Sequence, residues 1–299
     1  MTLDGGPDDG GGPVKPDTTP TLQRARGEAR IALEDDGGRG RLTALRQSGC
    51  LKLRLPRVPA GRPREAELIN TAGGLTGGDR LSIEASVGAR ARLMLASQTA
   101  ERLYRSADGA ARVEVRLSAG ADARLAWLPQ ETIAFEGSAL RRALDVDLAP
   151  TARFLAVESL ALGRLAMGER IARASYRDDW RVRVGGRLVH AEALRLGPNV
   201  AEWASRAAVL GDNAALATVL YIGPDAADRV PALRAIVGDA GAVDAFDGMP
   251  RLVARLVASD ALALRRRLVP VLAHLNGAAM GLGCATSGHP EALPAVWSL

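Results

Sequence analysis

From Gly27 to about Leu196 the dominant hydrophobic period is two. Ala29-Arg30-Ile31-Ala32-Leu33, Leu51-Lys52-Leu53-Arg54-Leu55, Leu81-Ser82-Ile83-Glu84-Ala85, Arg112-Val113-Glu114-Val115-Arg116-Leu117 and Trp180-Arg181-Val182-Arg183-Val184 each alternate apolar with polar side chains. Successive side chains of a strand point to opposite faces, so each segment predicts a strand with one face on a core and the other in water. Gly, Pro and Asp clusters punctuate them: Asp35-Asp36-Gly37-Gly38, Pro59-Ala60-Gly61, Asp108-Gly109 and Gly185-Gly186. The last reads as a tight hairpin turn between Val184 and Arg187. The pattern is mostly β and does not alternate strands with helices as βαβ units do.

An approximate repeat lies inside this region. Gly88-Ala89-Arg90-Ala91-Arg92-Leu93, Gly120-Ala121-Asp122-Ala123-Arg124-Leu125 and Pro150-Thr151-Ala152-Arg153-Phe154-Leu155 each join a turn to a run of small, Arg and apolar residues, at spacings of 32 and 30 residues. Turn and strand units in succession predict stacked β layers, each covering the apolar face of the one before. Polar groups follow every copy: Ser97-Gln98-Thr99, Pro129-Gln130-Glu131-Thr132 and Glu158-Ser159. In a stack these lie near one another, on one edge or along one internal track.

The last third changes character. Asp225 to Val237 and Ser259 to Leu275 have helical periodicity, opened by Asp225 and by Ser259 or Asp260 as N-caps, and Pro270 is expected to kink the second helix. Gly241 to Phe246 and Leu252 to Ala258 read as strands between them. The expected fold is mainly β, of layered, β-helix-like stacked strands with two C-terminal α-helices. Residues 1–24, rich in Gly, Pro and Asp, read as a disordered tail, and 25–299 as a single domain.

Composition narrows the chemistry. The 299 residues contain three His and two Cys, with no paired Cys or His spacing, which excludes a disulfide scaffold and a zinc ribbon or finger. The net charge of +5 rests almost wholly on Arg, since Lys15 and Lys52 are the only lysines. A basic body suggests an acidic partner, but the Arg residues are spread through alternating strands and not clustered with aromatics, against the pattern of a nucleic-acid binder. No run of about 18 apolar residues would span a bilayer, and no export signal is visible, so a cytoplasmic protein is expected.

Several segments are candidates for chemistry. Asn70-Thr71-Ala72-Gly73-Gly74-Leu75-Thr76-Gly77-Gly78-Asp79 is glycine-rich, but it lacks the Lys and Ser/Thr of a phosphate loop, and Asp79 would repel an anion. A turn with positive φ, capped by Asp79, accounts for it as well. Glu131 and Glu158 are flanked by apolar residues and must be exposed at an edge, hydrogen-bonded, paired with Arg or functional; Arg164 and Arg170 are available partners. Such carboxylates can form weak oxygen sites for a divalent metal. Cys284 and His289 could share a metal, though two ligands make no closed site. From the residues alone, a carboxylate-dependent hydrolase and a basic nucleic-acid-binding β protein remain as alternatives.

Taken in order, Asn70…Gly73-Gly74-Leu75-x-Gly77-Gly78-Asp79, Ser97-Gln98-Thr99-Ala100-x-x-Leu103-Tyr104-Arg105, Trp127-Leu128-Pro129-Gln130-Glu131-Thr132-Ile133-x-Phe135 and Glu158-x-x-x-Leu162-Gly163-Arg164-x-x-x-Gly168-Glu169 resemble the signature series of UreD-type (UreH-type) urease accessory proteins. The closing Leu293-Pro294-Ala295-Val296-Trp297 is similar to that family's end, with Ala295 in place of the usual Arg, and Ser97-Gln98-Thr99 stands where Thr-Thr-Gln is more usual. The resemblance implies a nickel-insertion chaperone, not an enzyme. Such a chaperone has no tightly bound cofactor and handles nickel(II) transiently. The implied partners are a UreF-type helical protein, a UreG-type GTPase and urease apoprotein, with neither nucleic acid nor membrane involved. An internal passage for nickel has been proposed in the family; Asp79, Glu131, Glu158 and Glu169 are the expected carboxylates along it, with Arg164 orienting Glu158 or Glu169. The scarcity of His and Cys fits transit, because hard oxygen contacts release an ion that soft ligands would retain.

Overall fold

A computed structural model describes residues 1–2, 23–37, 40–246, 248–282 and 292–298. Most of the expected tail, and Cys284 and His289, lie outside the described residues. In chain order the elements are β1 (Arg26–Glu34), β2 (Arg41–Gly49), β3 (Leu51–Arg54), β4 (Arg64–Asn70), β5 (Arg80–Val87), β6 (Arg92–Ser97), β7 (Glu101–Leu103), β8 (Ala111–Ala119), β9 (Arg124–Leu128), β10 (Thr132–Ala134), β11 (Ser138–Leu148), β12 (Arg153–Leu162), β13 (Ala174–Val184), β14 (Arg187–Leu196), α1 (Val200–Ala204), β15 (Ala215–Ile222), α2 (Val230–Val237), β16 (Gly241–Ala245), β17 (Arg251–Ala258) and α3 (Ala261–Met280).

The strands form two sheets. The first has the order β14-β13-β11-β8-β5-β1-β2 and the second β16-β17-β15-β12-β9-β6-β4-β3. Neighbours from β1 through β13 in the first and from β4 through β12 in the second run parallel. Short β10 pairs in parallel with β7 on one side and with the end of β12 on the other, making a third face. The chain therefore winds from the first sheet to the second to the third face and back, a β-solenoid. Arg92, Arg124 and Arg153 stand in one register, so successive coils are offset by 32 and 29 residues. The final turn is one residue tighter than the spacing of its glycine and proline positions implies.

Two kinds of strand follow from what covers each face. Four of the five alternating segments, β1, β5, β8 and β13, lie in the first sheet, whose outer face is wet; the fifth, β3, ends the second sheet. In β6, β9 and β12 nearly every residue is buried, and the sequence there runs apolar without alternation: Leu93 to Ala96, Leu125 to Leu128, Phe154 to Val157. Strands covered on both faces read this way. Their inner side chains, such as Leu93, Leu125, Trp127 and Phe154, meet Val115, Leu144 and Trp180 of the first sheet. Their outer side chains, including Met94, Ala126, Leu155 and Val157, meet α3 and Trp297.

Asp260 caps α3, its carboxylate accepting from Ala263 N at 2.8 Å, and the helix runs through Pro270 to Met280, beyond the expected end at Leu275. Asp225 does not cap a helix. It accepts from Tyr221, Arg153 and Arg229 side chains, and α2 starts only at Val230. Gly185 and Gly186 both have positive φ, +57° and +78°, as a two-residue hairpin turn requires.

Candidate functional site

A strand that alternates correctly can still carry a charge to the inside. In β11 the inward residues are Ser138, Leu140, Arg142, Leu144, Val146 and Leu148. Arg142 shares their parity and is 7% exposed. Parallel register places it beside Val113 of β8 and Asp178 of β13. Glu158, inward on β12, approaches from the opposite sheet.

The contacts are dense. Arg142 Nε and Nη2 donate to the Asp178 carboxylate at 3.1 and 2.7 Å, and Nη2 also donates to the Tyr176 hydroxyl at 2.6 Å. Arg142 Nη1 lies against Glu158 Oε2, an oxygen that accepts no aligned hydrogen bond. Each carboxylate also accepts from an indole: Trp127 Nε1 donates to Glu158 Oε1 at 2.8 Å and Trp180 Nε1 to Asp178 Oδ2 at 3.0 Å. Burial raises the proton affinity of Glu158 above the ordinary carboxylate range, Asp178 pushes the same way, and Arg142 and Trp127 oppose them. The flanking carboxylates keep Arg142 charged despite its burial.

Beside this cluster lies a cavity of about 140 Å³ that reaches the surface at Gly73, Thr99 and Arg102. Ser97, Thr99, Gln130, Thr132 and Glu158 all reach its wall, so some of the polar groups after each repeat meet at one cavity, while Gln98, Glu131 and Ser159 do not line it. Apolar Leu81, Ile83, Val113 and Leu140 face them, and Asn70 and Glu101 line the side nearest β4 and β7. Asn70 Nδ2 donates to both Glu101 oxygens, at 3.2 and 3.1 Å. Burial pushes Glu101 up to about 7, and the nearby Asp79 charge adds to the rise. On the far side of Arg142 a second, water-sized cavity of about 10 Å³ is lined by Glu158, Tyr176, Asp178, Glu192 and Thr218. His190, two residues before Glu192, is held neutral, pushed down to about 4 by burial and by Arg251 and Arg255.

The four carboxylates expected from the sequence do not form one cluster. Glu158 alone of them lines the cavity. Asp79 is buried and caps the glycine-rich turn, accepting from Thr76 N and from Ala25 N, both at 2.8 Å, which ties the turn to the start of β1. Glu131 sits between two cavity-lining residues and approaches Arg265 of α3 at 3.6 Å. Glu169 is at the surface, where Arg164 Nε donates to it at 2.7 Å, so Arg164 orients Glu169 and not Glu158. Among the described residues no group of three or more His, Cys, Asp and Glu side chains is placed to share a metal ion.

Glu101, Arg142 and Asp178 are absent from that sequence-derived set. Parity carries the signal for all three. Glu101 matches buried Leu103, Arg142 matches Leu140 and Leu144, and Asp178 matches Tyr176 and Trp180.

Comparison with known proteins gives one consistent result. The family model described as UreD urease accessory protein matches residues 25–298. The chain is 45% identical over 281 residues to "Urease accessory protein UreD 1" of Brucella melitensis biotype 1, covering 93% of this chain and 96% of the relative. It is 44% identical over 277 residues to "Urease accessory protein UreD" of Agrobacterium fabrum, covering 93% and 92%. The Mesorhizobium japonicum protein of the same name is 44% identical over 282 residues, with 94% and 96% covered.

Proposed function

Since the chain belongs to the UreD family of urease accessory proteins, which serve urease maturation and are not enzymes, we propose that it conducts nickel(II) through its solenoid interior on the way to the urease active site. The observation that carries this reading is the pair Glu101 and Glu158 on the wall of one cavity, among the polar side chains of Asn70, Ser97, Gln130 and Thr132. Both carboxylates have protein partners, Arg142 and Trp127 for Glu158 and Asn70 for Glu101, and burial still raises the proton affinity of each, as is common where carboxyl groups are used. Their oxygens, with those of Ser97, Thr99, Gln130 and Thr132, are hard donors that hold a divalent ion weakly and let it go.

Within this proposal Glu158 lies on the path. Asp79 shapes the electrostatics behind Glu101, Glu131 borders the track at Arg265, and Glu169 with Arg164 stands at its outer margin. Association is with the urease accessory complex; the specific partners we propose are a UreF-type protein, a UreG-type GTPase recruited through it, and urease apoprotein. We place this action in the cytoplasm; no described helix is long and apolar enough to cross a membrane.

The test is the nickel content of urease matured in cells carrying the full accessory set and Glu158→Gln, Glu101→Gln or both. Glu158→Gln should lower nickel content several-fold while the accessory complex still co-purifies. Alanine at Asp79, Glu131 or Glu169 should act more mildly. Normal nickel incorporation in the Glu158→Gln, Glu101→Gln double variant would sink the passage reading. Failure of the chain to co-purify with a UreF-type protein under any condition would sink the partner assignment.

A further inference from the structure

The two cavities share only Arg142 and Glu158 in their walls. The guanidinium thus stands between the cavity that holds Glu101 and the one that holds Glu192. We propose that Arg142 is the resident cation of a two-carboxylate exchange site, and that a divalent cation in transit displaces it from between Glu158 and Asp178. The inference rests on the passage reading above and adds to it a gate and a binding site with named ligands.

The geometry separates the fixed parts from the movable one. Glu158 and Asp178 each accept from an indole N–H: Trp127 donates to Glu158 Oε1, leaving Oε2 to Arg142, and Trp180 donates to Asp178 Oδ2, which Arg142 Nη2 also reaches. Neither anchor depends on Arg142. Arg142 reaches the site on a long side chain from β11, and its Nη1 touches Glu158 Oε2 without hydrogen-bond alignment. That oxygen is buried, and its polar contact is the ion pair with the guanidinium, so it faces the position a cation holds.

Charge favours exchange. Two carboxylates against one guanidinium leave a net negative charge in a buried site when both are ionised, whereas a divalent ion balances them. Two carboxylates are few and hard ligands for nickel(II), so the ion is held weakly and displacement is reversible. The displaced guanidinium has the larger cavity to enter, with the Glu101 carboxylate on its wall as an acceptor. At rest the protein thus keeps the passage shut to monovalent ions with its own positive charge, and the two carboxylates stay solvated by that charge instead of by water.

The experiment measures nickel(II) binding to the full-length chain by equilibrium dialysis at neutral pH. Arg142→Gln removes the resident cation and is expected to bind one nickel ion at least tenfold more tightly than wild type. Adding Glu158→Gln or Asp178→Asn to it should abolish the gain. Affinity of Arg142→Gln equal to that of wild type overturns the proposal, as does a gain that survives removal of either carboxylate. If Arg142→Gln does not fold, Arg142→Lys keeps the charge but cannot bridge both carboxylates. It should then bind nickel several-fold more tightly than wild type, and an unchanged affinity overturns the proposal equally. The two readings fail separately. Tight nickel binding by Arg142→Gln together with normal urease maturation in the Glu158→Gln, Glu101→Gln double variant would leave the exchange site standing and remove the passage. Impaired maturation in Glu158→Gln with no gain in Arg142→Gln would do the reverse.

Discussion

Glu101→Gln isolates a single buried titration. In the folded protein burial lifts this carboxyl from its ordinary 4.5 to about 7, against the opposing hydrogen bonds from Asn70. Between those two pH values the folded state holds a proton that the unfolded chain has released, so wild-type stability falls as pH rises through this window and levels off above it. Every tenfold gain in proton affinity on folding corresponds to about 1.4 kcal/mol, so the group contributes a loss of roughly 3 kcal/mol from the acid to the alkaline side. Glutamine fills the same space and keeps an oxygen for Asn70, but it does not titrate. The stability of Glu101→Gln minus that of wild type should accordingly rise by roughly 3 kcal/mol between about pH 4.5 and about pH 8. Urea unfolding followed by tryptophan fluorescence across that range supplies the difference directly. Other raised carboxyls, Glu65 and Glu158, titrate in both proteins and cancel in the subtraction. A difference that does not change with pH would refute the reasoning, because it would mean that Glu101 is solvated as an ordinary carboxylate.

Three further substitutions test how the surrounding structure supports the site. Gly74 has φ +149°, and a Cβ there would lie 2.6 Å from the Arg102 carbonyl of β7 and 2.4 Å from the Tyr104 ring; Gly74→Ala should cost about 1–3 kcal/mol in thermal or chemical unfolding and, by displacing β7, reduce urease maturation. Trp297 is buried, with its indole donating to the Leu128 carbonyl at 3.0 Å; Trp297→Ala should cost about 3–5 kcal/mol, read as a lowered urea midpoint, and an unchanged midpoint would contradict its place in the outer core. Asp260→Ala removes the cap on Ala263 N and should cost about 1 kcal/mol, with Asn restoring most of it.

Much of the fold is legible in the sequence, for reasons that differ along the chain. Alternation marks β1, β5, β8 and β13 because their sheet has one wet face. It fails for β6, β9 and β12, whose outer face is covered by α3 and the segment ending at Trp297, a layer built from residues far along the chain. Asp225 reads as an N-cap because its residue type and place before a helical run fit one. In the folded chain Tyr221, Arg153 and Arg229 claim its oxygens, and charge-assisted donors outcompete backbone N–H groups.

The site divides in the same way. The repeat of turns and the polar groups after each copy were enough to bring Ser97, Gln130, Thr132 and Glu158 to one track, since parallel stacking repeats the same face at the same height. Asp79, Glu131 and Glu169 look equivalent to Glu158 in sequence, yet one caps a turn, one borders α3 and one is at the surface. Parity by itself already turned Arg142 and Asp178 inward. Only the tertiary structure decided that they meet, because the strand register that sets them side by side spans 36 residues of chain and depends on the length of the intervening coil. Periodicity fixes which face a side chain takes; which charge it finds there is fixed by how distant segments are brought into register.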